Sequence, residues 1–512
     1  MPRIGERRFS LALQKLIEEC SCVIISLLLS QVLFCLNRDI IHQKGADVLE
    51  NKFEKKYGLF TAICLVVGIV IGSGVFFKAQ EILEKTGGDM PTGILSWIIG
   101  GLVMLVCVLA FASMAQKYEK VNGVVDYAEA TIGKTYAYYT GWFMTTLYYP
   151  ALTMALAWLS AKYTLVFITS VNPAFPLVIP IAEGGTSTGP ECMVLTLLYF
   201  VFSFAINALS PRLAGKLQVG TTVIKLIPIC LMAVVGIIYG IATGGLANNF
   251  ANPATVHGIS ENPLLASVCS TAFAYEGWII ATSINSELKN AKRNLPIALI
   301  SGCLIIIAAY VLYFIGVAGG ATNQELIDHG ATIAFRNLFG NIFGNVLNLF
   351  VAVSCLGTLN GLMLGCSRGI YSLAARREGP FPEIFGEIDR NTNMAVNSAV
   401  FGLLSCVILF VYFYFSSLAK TWDSIFIFDA TELPILTMYA FYIPIFFSRI
   451  VNAKDENSLK RFIIPTLAVA ASCFMIYATI RAHGSECVWY LIVFAFVMAL
   501  GAIFKNPRKR GN

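Results

Sequence analysis

The sequence predicts an all-α polytopic membrane protein, and three observations carry that prediction. Of its 512 residues, 57% are hydrophobic and 13% charged, with mean hydropathy +0.72; soluble domains carry about 25% charged residues. Apolar runs of span length, about 20 residues each, recur along the whole chain. Two of these runs are broken near their middle, by Gly72-Ser73-Gly74 and by Tyr275-Glu276-Gly277.

Taken in order, the runs lie near 58–82, 92–115, 136–168, 192–210, 218–243, 263–285, 296–319, 342–374, 395–415, 424–447, 461–480 and 485–504. Twelve transmembrane helices are expected. They divide into 58–243, 263–447 and a final pair over 461–504, followed by a basic tail, 505–512. Lys and Arg crowd alternate connections: Lys117, Lys120 and Lys134; Arg212 and Lys216; Lys289, Lys292 and Arg293; Arg376, Arg377 and Arg390; Arg449, Lys454, Lys460 and Arg461. The other set holds only Lys85, Arg336, Lys420 and Arg481. Because basic loops stay on the cytoplasmic side, the C-terminus and the segment before the first span are expected in the cytoplasm of a multi-pass plasma-membrane protein.

Residues 1–57 form an N-terminal extension. Its apolar run Cys20–Leu36 has basic residues on both flanks, Arg3 to Lys15 before it and Arg38 to Lys56 after it. That favours an interfacial helix or an over-long leader above a thirteenth span. It lacks a small-residue cleavage site, so it makes a poor signal peptide.

Several function classes drop out. A net charge of +6 without a long basic run gives nucleic acid no footing. The fourteen cysteines show no paired CxxC spacing, so no zinc is indicated. Most sit in apolar segments and read as small hydrophobes; Cys192, in a polar stretch, reads as the exposed exception. No HExxH, GxSxG or P-loop points to an enzyme. The four histidines (His42, His257, His329, His483) are read as lying outside the spans. No cofactor is indicated.

The breaks carry the chemistry. Interrupted spans in matching positions of two halves, here roughly 200 residues apart, are the best sequence pointer to a transporter's binding site. Unwound backbone leaves carbonyls at the end of the first half-helix and N–H groups at the start of the second. A zwitterion suits that arrangement. Its carboxylate is expected on the N–H groups of Ser73, Gly74 and Val75, and its ammonium on the carbonyls of Ile71, Phe273 and Ala274. Gly72, Tyr275, Glu276 and Gly277 complete the candidate substrate site. Gly68 and Gly72 also fit a helix-packing face; the second break weighs toward binding. Lys225 lies two turns into an apolar run, where a lysine costs about 2.5–3.5 kcal/mol. It reads equally as functional or as snorkelling to the surface. Asp429 and Glu432 stand one turn apart in the tenth run. They mark either an ion path or a helix that starts later, leaving both in an outer vestibule.

The stretch Val67-Gly68-Ile69-Val70-Ile71-Gly72-Ser73-Gly74-Val75-Phe76 resembles the first-helix signature of the amino acid–polyamine–organocation superfamily. Phe273-Ala274-Tyr275-Glu276-Gly277-Trp278 resembles its sixth-helix signature, and Ser354 to Gly361, continuing to Arg376–Pro382, its eighth helix and exit. The match is closest to the L-type amino acid transporters, especially bacterial serine/threonine exchangers, over about residues 55–505. The resemblance implies a LeuT-type fold of two inverted five-helix repeats with helices 1 and 6 broken, plus two further helices. It implies a sodium-independent exchanger of neutral L-amino acids, with Lys225 bridging to the unwound first helix where sodium-coupled relatives hold the ion. It implies Phe273 as the aromatic that caps the substrate from outside. Glu276 stands where relatives have Asp, Gly or Ser; it would bind a helix end, take up a proton or touch the substrate side chain. Proton coupling or a cationic substrate is the alternative, resting on Glu276, Asp429 and Glu432; an amino acid sensor is a remote one. Some animal relatives pair with a single-span glycoprotein through an external cysteine; the residues around Cys192 do not match, so the chain is expected to act alone. Tyr148, Tyr149 and Asn360 are further candidates for shaping the side-chain pocket.

Overall fold

The computed structural model describes residues 55, 57–118, 123–175, 177, 189–254, 262–389, 392–418 and 427–505. The extension with its run at 20–36 and the tail 506–512 lie outside the described residues. Twelve helices are long and apolar enough to span a membrane: α1 (Leu59–Thr86), α2 (Met90–Ala115), α3 (Lys134–Val171), α4 (Pro190–Leu209), α5 (Arg212–Thr243), α6 (Pro263–Glu287), α7 (Ala291–Gly320), α8 (Asn341–Ala374), α9 (Val396–Leu418), α10 (Glu432–Asn452), α11 (Leu459–His483) and α12 (Glu486–Phe504). Among the described residues the only β pairings are two isolated bridges, Tyr57 with Leu288 and Asp389 with Met394. Membrane proteins are confined to helices or closed barrels, because lipid offers the backbone no hydrogen bonds. This is a multi-pass all-α membrane protein.

The centre and the rim differ in burial. In α1, α3 and α6, 78% of the most apolar window is buried, against 11% in α12. The rim turns large apolar side chains outward, among them Phe202, Ile238, Ile241, Leu304, Ile408 and Phe496. Such a surface suits a hydrocarbon surround.

Both central breaks are present. Helix α1 runs as α1a (Leu59–Val70), an extended turn at Ile71-Gly72-Ser73, then α1b (Gly74–Thr86). Helix α6 runs as α6a (Pro263–Ala274), a turn at Tyr275-Glu276-Gly277, then α6b (Trp278–Glu287), which is wound as a 3-10 helix. Ten residues of 3-10 winding exceed the usual three or four, and such a stretch often marks a hinge. Helix α3 carries a wide π turn at Met144–Tyr148, which places Tyr148 beside the α6 break.

Three sequence expectations need correction. Helix α10 starts at Glu432, well after 424, because Asp429 caps it. The Asp429 Oδ1 accepts from the Thr431 and Glu432 N–H groups, both at 2.7 Å, satisfying donors that a helix start leaves orphaned. Cys192 is buried, at 1% exposure, because α4 already begins at Pro190 and carries it inside. His483 is the last residue of α11 and packs inward against Glu432, Nε2 to Oε2 at 2.9 Å. His329 ends a short helix, Asn323–His329, outside the spans; His42 and His257 lie outside the described residues.

Candidate functional site

The α1 break exposes carbonyls that buried backbone must pair. The ammonium of Lys225, from α5, does so. It is fully buried and donates to Gly68 O at 2.8 Å, Ile71 O at 2.5 Å and Ser354 O at 3.0 Å, and to Thr358 Oγ1 at 3.2 Å. Its head turns into the break and not to the membrane surface. Helix α8 supplies the rest. Ser354 Oγ donates to Gly72 O at 2.9 Å, and the Thr358 hydroxyl faces Gly68 O and Ile71 O at 3.0 and 3.1 Å. An ammonium thus fills an oxygen cage between α1, α5 and α8.

On the other side of the break, the N–H groups of Ser73, Gly74 and Val75 meet no acceptor among the described residues. They are the orphan donors at the start of α1b, carrying the positive end of its dipole. Ser73 is itself fully buried. Gly74 is required for the approach of α6: a Cβ there would lie 2.8 Å from Ala274 Cα.

At the α6 break, Tyr310 of α7 donates toward both Ala274 O and Val70 O, each at 3.0 Å. One phenol therefore caps carbonyls of both broken helices. Gly277 adopts φ +100°, a left-handed conformation that glycine tolerates, and a Cβ there would strike Ile69 Cγ2 at 2.8 Å. Glu276 is buried, with its carboxylate hydrogen-bonded to the Tyr148 hydroxyl. Among the described residues no Lys, Arg or His pairs with it.

Two cavities meet at Phe273. The inner one, about 20 Å³, is lined by Ile69, Gly72, Ser73, Gly74, Glu276 and Gly277, with Leu152, Leu156, Thr358 and Leu362 around them. The outer one, about 470 Å³, opens on the face with few Lys and Arg residues. Phe273 lines both. Its ring lies 6.0 Å from that of Phe77.

The opposite, basic face is closed. Tyr57 N–H bonds Glu287 O at 3.1 Å and Lys289 N–H bonds Tyr57 O at 2.9 Å. Glu287 pairs with Arg368 at 2.5 Å, both side chains nearly fully buried. Arg376 of α8 pairs with Asp126 and Glu129 from the short helix Gly123–Thr131.

The structure therefore gathers Gly72, Ser73, Gly74, Phe273, Glu276 and Gly277 at one cavity. It does not place Ile71, Val75, Ala274 or Tyr275 on that wall. Two of the carbonyls expected to receive an ammonium are already occupied, Ile71 O by Lys225 and Ala274 O by Tyr310. The physical reason is that a carbonyl freed inside a membrane needs a permanent donor. Ile69 O, by contrast, accepts no hydrogen bond among the described residues. Tyr275 turns away, donating to Trp97 O at 2.9 Å. Asn360 serves an amide cluster with Asn207 and Gln218, and Tyr149 packs on Gly365.

Sequence reasoning missed Tyr310, Ser354 and Thr358, and it missed an ionic cluster on the outer cavity. There Lys78 of α1b pairs with Glu81 at 2.6 Å and with Glu432 of α10 at 3.0 Å, and Glu432 also meets His483. The oddity of a lysine at 78, inside an apolar helix, was the available signal. No group of His, Cys, Asp or Glu that could hold a metal occurs among the described residues.

Comparison with known proteins adds to this geometry. The sequence model of the family described as amino acid permease matches residues 57–504. The chain is 27% identical over 448 residues to the serine/threonine exchanger of Bacillus subtilis, covering 86% of this chain and 94% of that one. It is 26% identical to the b(0,+)-type amino acid transporter 1 of Mus musculus, covering 90% and 89%. With the human cystine/glutamate transporter it shares 26% identity, covering 66% and 64%.

Proposed function

The chain belongs to the amino acid permease family, and from that premise we propose that it exchanges neutral L-amino acids across the plasma membrane by alternating access, without sodium. The observation that carries this reading is the pair of N–H groups at Ser73 and Gly74, which meet no acceptor among the described residues and whose residues line the inner cavity together with Ile69 and Glu276. Backbone donors at a helix start bind carboxylates. A substrate ammonium then has Ile69 and the Glu276 carboxylate lining the same space. At 20 Å³ the cavity has room for about one water, so substrate entry requires the walls to move apart. The two five-helix units, 58–243 and 263–447, are the proposed inverted repeats whose relative motion does this.

Sodium independence rests on Lys225. A sodium ion needs a cage of oxygens, and here a fixed ammonium already occupies the cage formed by Gly68, Ile71, Ser354 and Thr358. The basic face, closed by the Glu287–Arg368 pair, is the proposed cytoplasmic side, with the C-terminus on it. The chain is proposed to act without an obligatory protein partner. The burial of Cys192 supports this, since a thiol inside α4 is not presented to a second protein. The similar bacterial and mouse proteins are named for serine/threonine exchange and for amino acid transport.

A second reading, transport of cationic substrates or coupling to protons, is favoured by one observation: Glu276 is a carboxylate on the cavity wall with no Lys, Arg or His paired to it among the described residues. Asp429 does not add to it, being engaged as a helix cap.

The test is counterflow in proteoliposomes made with this chain alone. Labelled serine, alanine or leucine outside should enter faster when unlabelled amino acid is inside. Uptake indifferent to internal amino acid rules out obligate exchange. Stimulation by a pH gradient, or competition by arginine, establishes the second reading.

A further inference from the structure

The outer cavity holds a charge that the reading above does not use. Two lysines line it, Lys78 and Lys162. Lys78 is neutralised by Glu81 and Glu432. Lys162, on α3, is 7% exposed. Among the described residues its ammonium donates no hydrogen bond and meets no carboxylate at ion-pairing distance. Its neighbours are aromatic: it lies 5.7 Å from the ring centre of Trp158 and 5.7 Å from that of Tyr163. Phe413 of α9 meets Trp158 edge-on at 5.5 Å.

Aromatic faces attract a cation but leave its hydrogen-bond donors unused. A lysine within a membrane span without an anionic partner is costly and is a functional-site hypothesis by default. Here the missing partner has a place to arrive, because Lys162 sits on the same cavity wall as Phe273. The cavity also fixes the polarity of a visitor. Glu84 lines it without a salt bridge among the described residues, and Asp328 lines it with one oxygen accepting from Gln324 at 3.1 Å. A solute with one negative and one positive end has a receptor for each.

We propose that Lys162 forms a carboxylate-docking subsite in the outer cavity, where an incoming amino acid is held by its α-carboxylate before Phe273 admits it to the inner cavity. This rests on the amino acid exchanger reading and adds a first binding step to it. No bond is made or broken. The carboxylate exchanges the three donors of Lys162 for the orphan N–H groups of Ser73, Gly74 and Val75 as it moves inward.

The experiment uses the full chain in proteoliposomes, with labelled L-serine offered on the outer-cavity face and unlabelled serine on the other. Lys162→Gln should raise KM on that face by about fivefold or more, the size expected when a partly buried charge contact is lost, with kcat within about twofold. Lys162→Arg should restore KM to within about twofold. Half-saturation on the basic face should not move. Added salt should raise the wild-type KM and leave the Gln variant flat, because only a charge contact is screened. An unchanged KM in Lys162→Gln overturns the proposal while the exchanger reading stands. So does an equal loss on both faces accompanied by a lower melting temperature, which would assign Lys162 to packing alone. Absence of any serine, alanine or leucine flux in wild type overturns the exchanger reading and this proposal together.

Discussion

The α1 and α6 breaks face one another across the inner cavity, yet their exposed groups are treated differently. In α1 the carbonyls are clamped by residues that cannot leave: Lys225 from α5, and Ser354 and Thr358 from α8. The N–H groups of Ser73, Gly74 and Val75 meet no acceptor among the described residues. In α6 one hydroxyl, Tyr310, caps Ala274 O, and the turn brings in a carboxylate, Glu276, hydrogen-bonded to Tyr148. The first break sets a buried lysine against its carbonyls and turns N–H groups of α1b toward the cavity. The second is a left-handed turn that carries a buried carboxylate. The lesson is that unwinding creates more bare polar groups than a substrate needs, and the protein permanently fills those on one side so that the remainder select.

Removing the clamp should have the largest effect. Lys225→Ala removes the ammonium donor from Gly68 O, Ile71 O and Ser354 O, leaving the first two to the α8 hydroxyls, and a buried polar group left unpaired costs about 1–3 kcal/mol. Counterflow should fall at least about 100-fold, equivalent to roughly 2.7 kcal/mol, while the protein still elutes as one species in detergent. Retained transport would show the cage to be dispensable and erase the contrast between the breaks. Next is the buried acid, Glu276. Glu276→Gln keeps the shape and the Tyr148 contact but removes the charge. A competition panel of the twenty amino acids should then reorder, with changes of about tenfold for individual substrates, the scale of one charged contact at 1.4 kcal/mol. An unaltered ranking would place Glu276 outside substrate recognition. Phe273→Ala should matter less. It joins the outer and inner cavities, so KM on the outer face should rise about threefold and trapped label should leak faster, in line with a lost contact of under 1 kcal/mol. The smallest effect is the most telling about the clamp: replacing sodium by choline should leave uptake unchanged, because Lys225 already fills the oxygen cage.

How far the sequence reveals this contrast depends on how local each feature is. Gly74 and Gly277 are legible because close approach and a left-handed turn leave few other residues possible. Lys225 stands out because a charge in an apolar run needs a reason. Tyr310, Ser354 and Thr358 do not stand out. Hydroxyl side chains in membrane helices commonly bond back to their own turn, as Thr153, Ser160 and Ser472 do here, and nothing local distinguishes the few that reach across. The Lys78–Glu432 pair joins positions 354 residues apart, which only the packing of α1b on α10 brings together. The start of α10 is misjudged for a related reason. Apolar residues before Asp429 continue the run, and the cap is visible only through hydrogen bonds. Which carbonyls stay bare follows from the same long-range contacts, so the ammonium's seat could not be read from the break alone.

The account is tested most directly by an experimental structure of the protein with the amino acid that wins the competition panel. Density for the carboxylate should lie within hydrogen-bond distance of the Ser73, Gly74 and Val75 N–H groups, inside Phe273, with Lys225 still seated on Ile71 O. A ligand bound elsewhere, with those three groups facing an empty gap, would contradict it.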